Sequence, residues 1–169
     1  MEIVIIAAKS DNNVIGKDGG LPWHMPADLD FFARQIQGCY LLSGRKSFES
    51  AQGEEIFRNK SFVIVTRQKD YRVKEGKVAH SVEEGIAVAE ADGAGRLCIL
   101  GGGEIYRQAL SVADKLIITE VHTEVEDGDA FFPDVDPRIW KEYKRENHSK
   151  DKANPYDFSF VFYIRVPSA

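Results

Sequence analysis

The chain has 169 residues, of which 43% are apolar and 29% charged, and it carries a formal net charge of −5. At roughly 150 residues per domain this length predicts one domain. It excludes a full TIM barrel of about 250 residues and leaves a six-stranded, two-half dinucleotide fold a tight fit. The acidic balance argues against nucleic acid as a partner, and no stretch approaches the roughly 18 apolar residues of a membrane span.

The two cysteines, Cys39 and Cys98, lie far apart in apolar surroundings without a CxxC spacing. They read as buried free thiols in a reducing compartment, hence the cytoplasm. The start, MEIVIIAAKSDN, has one short apolar run and lacks the basic leader of a signal peptide. Charge is unevenly spread: between Gly44 and Lys77 nine basic side chains face five acidic ones, a local +4 that leaves −9 elsewhere. Such a region suits a small anionic ligand better than a polyanion, the bland alternative being an ordinary solvated face.

In chain order, Glu2 to Ala8 reads as a buried central strand, β-branched and nearly continuous. A long Asn-, Asp- and Gly-rich connection follows, with apolar anchors at Val14 and Ile15 and a loose tip at KDGG. Loops of that length are often functional. Pro26 opens a helix with Asp28 in its first turn. Leu29, Phe32, Ala33 and Ile36 recur at i, i+3, i+4 and i+7 as its apolar stripe, and Gly38 ends it. Strand Cys39 to Ser43 leads into a short helix from Lys46 to Ser50. Strand Ser61 to Thr66 and a turn-rich stretch precede a helix from Val82 to Ala91, with Ser81 and Glu84 as a capping box. Strand Arg96 to Leu100 runs into three glycines and a helix from Glu104 to Leu110, and a strand spans Lys115 to Val121. Ile139 to Arg145 and Phe158 to Val166 close the chain as two strands. The fold class is therefore α/β: a mainly parallel central sheet with flanking helices and a C-terminal antiparallel hairpin in the same sheet, spanning residues 1–169 as one unit.

Three places attract chemistry. LCILGGGEIY sends a strand through three glycines into a helix, which lets a ligand approach the backbone and offers free N–H groups to phosphate. It is neither GxGxxG nor a P-loop, and a bare tight turn is the alternative. SGRKSFES places Arg45, Lys46 and Ser47 at a helix start, and Thr66 and Arg67 end the next strand. Together they form a plausible clamp for an extra phosphate. Asp28 would ordinarily be favourable helix-end electrostatics, but it shares a helical face with Phe32, just after a flexible loop ending in Leu21-Pro22-Trp23. An acid among aromatics under a mobile cover can handle protons or recognise a base. His24, His80, His122 and His148 form no zinc spacing, so no metal is expected. Paired-carboxylate and Ser-His-Asp chemistry also lack their signatures.

The ordered set VIGKDGGLPWHMPADLDFF, LLSGRKSFES, FVIVTR, CILGGGEIY, LIITEV and DGDAFFPD resembles the dihydrofolate reductase family from the first strand to the last. The resemblance implies an NADPH-dependent reductase of 7,8-dihydrofolate, acting as a monomer. By carry-over, Asp28 binds the pterin 2-amino group and N3, with the Thr119 hydroxyl joining that network and Trp23 positioning a water. Ile6, Ala8, Leu29 and Phe32 line the pterin pocket, with Leu100 and Tyr106 near the meeting of nicotinamide and pterin. Ala7, Ile15, Gly16 and the tip from Lys17 to Leu21 cover the nicotinamide. Gly44, Arg45, Lys46, Ser47, Thr66, Arg67, Gly102, Gly103, Glu104 and Ile105 fall on cofactor positions, with Arg45 and Arg67 reading the 2'-phosphate.

The chain departs from the family pattern in three places. AQGEEIFRNKSF lacks the usual prolines, so either Arg58 or Lys60 would meet the carboxylate of the folate tail. Glu104 stands where some members have Arg, and Ala130 replaces a threonine. Two other readings compete: a riboflavin-pathway-type NADPH reductase of similar fold, and a non-catalytic, flavodoxin-like nucleotide binder. The LPW…Asp28 block speaks against both.

Overall fold

The computed structural model describes residues 1–18, 20–50 and 53–167. In chain order its elements are β1 (Glu2–Ser10), β2 (Val14–Gly16), α1 (Pro26–Gln35), β3 (Tyr40–Gly44), α2 (Arg45–Phe48), α3 (Gly53–Phe57), β4 (Phe62–Val65) and β5 (Lys77–Ala79). They continue with α4 (Val82–Ala91), β6 (Arg96–Ile99), α5 (Gly103–Ala109), β7 (Lys115–Val121), β8 (Ala130–Phe131), β9 (Trp140–His148) and β10 (Phe158–Arg165).

Eight strands form one sheet in the order β5-β4-β3-β6-β1-β7-β10-β9. The run from β5 to β7 is parallel throughout, whereas β10 is antiparallel to both β7 and β9. The expected mixed sheet and its C-terminal hairpin are thus present. The near-continuous apolar reading of the inner strands follows from burial on both faces. On one face Ile5, Leu42, Val63, Leu97, Ile99 and Ile118 pack against α4 and α5. On the other, Val4, Ile6, Leu41, Ile64, Cys98 and Ile117 pack with Phe31 of α1 and Phe57 of α3. Both cysteines are free and buried.

Several local expectations change. β1 continues to Ser10, because β7 keeps pairing with it as far as Ser10 opposite Val121. The long connection after β1 is not structureless: β2 pairs antiparallel with β8 as a separate two-stranded sheet. Its supposedly loose tip is closed by reciprocal bonds between Lys17 and Gly20, at 2.9 and 3.1 Å. The turn-rich stretch after Thr66 contains β5, added beside β4. The polar segment after α2 contains α3, whose Phe57 packs edge-on against Phe48 and Phe62. Ala51 and Gln52 of that segment, and Gly19 of the tip, lie outside the described residues.

The short helix begins at Arg45 rather than Lys46. In the α4 capping box Ser81 Oγ accepts from Glu84 N at 3.0 Å, but the Glu84 carboxylate reaches back to His80 N rather than to Ser81. The apolar stripe read on α1 is displaced by one position within the helix, although its last member, Ile36, is buried as expected. Phe31, stacked on Phe160 at 3.8 Å, is the buried residue, with Asp28; Leu29 and Phe32 are half-buried, and Ala33 is exposed. A polar residue sits on the sheet-facing side of α1, which is why the hydrophobic period pointed elsewhere. The helix closes on a cap at Ile36, and Gly38 follows at φ 72° in the turn.

Candidate active site

Asp28 lies in the first turn of α1, but its carboxylate does not cap the helix. It is 7% exposed and accepts a hydrogen bond from Thr119 Oγ1 at 2.6 Å. Thr119 is in place because β7 pairs on both sides, with Ala8 of β1 and Phe160 of β10, so α1 and three strands meet at the pair. Burial raises the Asp28 pKa to about 6, and the Thr119 bond opposes that rise. A carboxyl group in this range can be either anionic or neutral near physiological pH, as proton-coupled chemistry requires.

Around this pair stand the other pterin-side candidates. Ile6 is buried, while Ala8, Leu29, Phe32 and Leu100 are half-buried. Trp23 is 8% exposed, and its Nε1 has no hydrogen-bond partner among the described residues. The Tyr106 hydroxyl lies 2.8 Å from both Ile6 O and Leu100 O, bridging the middle of β1 and the residue that follows β6. Burial keeps this phenol well above its ordinary pKa, so it remains a neutral donor.

The ends of β3 and β6 form the second half of the site. Gly44 N donates to Gly101 O at 2.8 Å, drawing the two strand ends together. A Cβ on Gly44 would stand 3.2 Å from Ile105 and 3.8 Å from Gly102 N, so the close approach of these chains uses its missing side chain. Gly101 has φ 98°, and a Cβ there would lie 2.6 Å from the Tyr106 ring. The Gly101–Gly102 peptide is cis. Two helices, α2 and α5, start side by side at this point, and neither start has a side-chain cap. Ser47 Oγ would lie 3.5 Å from a Cβ on Gly102. Arg45 and Ser47 are half-buried, Lys46 is exposed, and Thr66 at the end of β4 is buried with exposed Arg67 after it. Uncapped helix starts with backbone N–H groups, glycines that leave the backbone open and three cations are a donor set suited to a phosphorylated cofactor.

Glu104, at the same helix start, brings a carboxylate into this cationic region. It bonds to Gln108 and Arg107, and these bonds, with the nearby Arg67 charge, hold its pKa below the usual carboxylate value. Arg45 is likewise paired, with Glu49 at 2.7 Å.

The loop over the site is tethered by Asp129, which sequence reasoning missed. Asp129 N donates to Gly16 O at 3.0 Å, and its carboxylate accepts from Asp18 N at 2.8 Å. Ile15 reaches the glycine turn, where a Cβ on Gly103 would come within 3.8 Å of its Cδ1. Ala130 opposes Gly16 so closely that a Cβ on Gly16 would lie 3.2 Å from the Ala130 methyl, which favours the glycine at position 16. Leu21 is exposed at 42%. Arg58 and Lys60 flank Asn59 in the turn after α3, Arg58 exposed and Lys60 half-buried. Among the described residues there is no cluster able to hold a metal ion, and no helix is long and apolar enough to cross a membrane.

The sequence model of the family described as Dihydrofolate reductase matches residues 2–165. The chain belongs to the dihydrofolate reductase family. It is 38% identical over 166 residues to a dihydrofolate reductase of Neisseria meningitidis serogroup A, covering 98% of this chain and 99% of that one. A Bacillus subtilis dihydrofolate reductase is 35% identical over 167 residues, covering 99% of this chain and 96% of its own. Among solved structures, the Enterococcus faecalis dihydrofolate reductase complexed with NADP(H) and RAB-propyl superposes with a TM-score of 0.86 at 33% identity. That match covers 98% of this chain and 97% of the other. The dihydrofolate reductase architecture therefore extends over the sheet, both helix layers and the tethered loop.

Proposed function

We propose that the protein catalyses the NADPH-dependent reduction of 7,8-dihydrofolate to 5,6,7,8-tetrahydrofolate, with Asp28 as its one catalytic carboxylate. The buried Asp28–Thr119 pair carries this reading. A carboxylate removed from water beside a half-buried apolar rim suits the flat, amidine-like edge of a pterin, which offers two parallel donors, its 2-amino group and N3. Neither a riboflavin-pathway substrate nor a non-catalytic nucleotide site accounts for that pair.

Gly44–Ser47, Thr66, Arg67 and Gly102–Ile105 would hold NADPH, which would supply a hydride for C6 of the substrate. The chain's residues do the rest. Asp28 anchors the ring, Thr119 fixes the carboxylate, and Ile6, Ala8, Leu29 and Phe32 hold the pterin faces. The negative field of Asp28 favours the protonated form at N5. Its fixed place on the ring's amidine edge keeps it from delivering that proton itself. A water held by Trp23 Nε1, a buried donor with no other partner among the described residues, carries the proton to N5.

Tyr106 aligns the carbonyls of Ile6 and Leu100 at the junction of the two ligands. The loop from Ile15 to Leu21, tied by Asp129, excludes solvent during transfer. Arg45 and Arg67 read the 2'-phosphate, and Arg58 or Lys60 meets the folate tail. The chain works as one domain and as a monomer, since Asp28, Thr119 and the phosphate-side cations all come from a single chain. Its two free, buried cysteines suit the cytoplasm.

Mixing the protein with NADPH and dihydrofolate should consume both in equal amounts and yield tetrahydrofolate. No turnover between about pH 5 and pH 8 would overturn this reading.

A further inference from the structure

Helix α1 carries Asp28, yet it begins without a cap of its own. Its N-cap is Met25, which has no side-chain oxygen, and Pro26 contributes no N–H. The Asp28 and Leu29 amides turn back to Met25 O at 3.0 and 3.2 Å. Ala27 N is then the first-turn donor without a local acceptor, and it donates to Asn154 Oδ1 at 3.0 Å. Asn154 comes from the connector between β9 and β10, 127 positions along the chain, and is only 5% exposed. Its amide orientation is determined by both of its partners. The oxygen must face the Ala27 N–H, and Nδ2 donates to Asp151 Oδ1 at 3.0 Å. The same Asp151 oxygen also accepts from the Asn154 and Ala153 backbone amides at 2.8 and 2.9 Å, locking the turn that presents the side chain.

We propose that Asn154 is a positioning residue for catalysis: it caps α1 from the far end of the chain and so holds the Asp28 carboxylate in register with Thr119 and the pterin. The N–H it restrains belongs to Ala27, the residue directly before Asp28. A loosened first turn would move and hydrate the carboxylate before disturbing the sheet. This inference rests on the reductase reading above.

The test compares the full-length wild type with Asn154→Ala and Asn154→Asp. Asn154→Asp is made together with Asp151→Asn, so that the pair still joins one amide to one carboxylate, and position 154 keeps an acceptor for Ala27 N with a charge favourable at a helix start. Three readouts are taken: the single-turnover hydride-transfer rate at saturating dihydrofolate, the NADPH Kd, and the Asp28 carboxyl midpoint from NMR titration. For Asn154→Ala the expected result is a roughly tenfold slower hydride transfer with the NADPH Kd within about twofold of wild type. Its Asp28 midpoint should fall from about 6 toward the ordinary carboxylate value, because hydration relieves the burial that raised it. The double variant should recover the rate to within about threefold of wild type, and it carries the test alone if the alanine variant fails to fold.

Wild-type rate and midpoint in Asn154→Ala would overturn the inference. So would equal losses in rate and in NADPH binding, or a double variant as slow as the alanine one. A wild type that binds NADPH but turns over no dihydrofolate would instead defeat the reductase reading. The NMR midpoints of the variants would still decide whether Asn154 positions Asp28.

Discussion

Replacing Asp28 with Asn should make the protein more stable and nearly inactive, and the two effects have one cause. The carboxyl group titrates near 3.8 when exposed and near 6 in the folded protein, mainly because folding takes it out of water. Its folded pKa is raised, so between these two values the folded state binds more protons than the unfolded one, and stability falls as pH rises through that window. Above pH 6 the full cost of the buried charge is present. At about 1.4 kcal/mol per unit, the shift amounts to roughly 3 kcal/mol. Asparagine fills the same space and can still accept from Thr119 Oγ1, so Asp28→Asn should recover most of that amount at about pH 8 and almost none at about pH 3.5.

Urea unfolding of both proteins at the two pH values measures the difference. Hydride transfer followed in parallel should fall by at least about a hundredfold at neutral pH. It should partly recover in acid, where the substrate arrives already protonated. A stability gain that is the same at both pH values would refute burial of the charge as its source. An unchanged rate would remove Asp28 from the chemistry.

Three further substitutions probe the rest of the site. Thr119→Val removes the bond that lowers the Asp28 pKa, so the Asp28 titration should move above 6, and a midpoint that stays or falls would contradict the arrangement. Arg67→Ala should weaken NADPH roughly tenfold to a hundredfold while barely changing NADH, read by fluorescence titration; equal losses would reassign Arg67 to bulk electrostatics. Gly101→Ala puts a methyl group 2.6 Å from the Tyr106 ring at φ 98° and should cost about 2–4 kcal/mol by urea unfolding, with near-wild-type stability as the contrary result.

Much of the site was legible because its chemistry is carried by short, local motifs. LPWHMPADLDFF brings Trp23 and Asp28 within one loop and one helical turn, and strand ends followed by SGRKSFES or GGGEIY expose backbone amides wherever the chain runs. Legibility failed where a residue's partner is remote in sequence. Val14–Gly16 looked like loop because its pairing strand, Ala130–Phe131, comes so much later. Phe31 falls outside the apolar period of Leu29 and Phe32 because Asp28 interrupts the sheet-facing stripe. Asn154 and Asp129 carry no local signal, because their partners, Ala27 for one and Gly16 and Asp18 for the other, lie more than a hundred positions away.

The sequence by itself determined the alternation of strands and helices, and with it a mainly parallel sheet, since crossover helices permit little else. It also determined which residue types cluster at the strand ends. Only the tertiary structure decided which of those residues acquire unusual chemistry. Asp28 is an ordinary helix-end acid until α1 is laid against β7, where losing its water and gaining Thr119 set its proton affinity. Burial and long-range hydrogen bonds depend on what the rest of the chain places nearby, and local pattern does not contain that information.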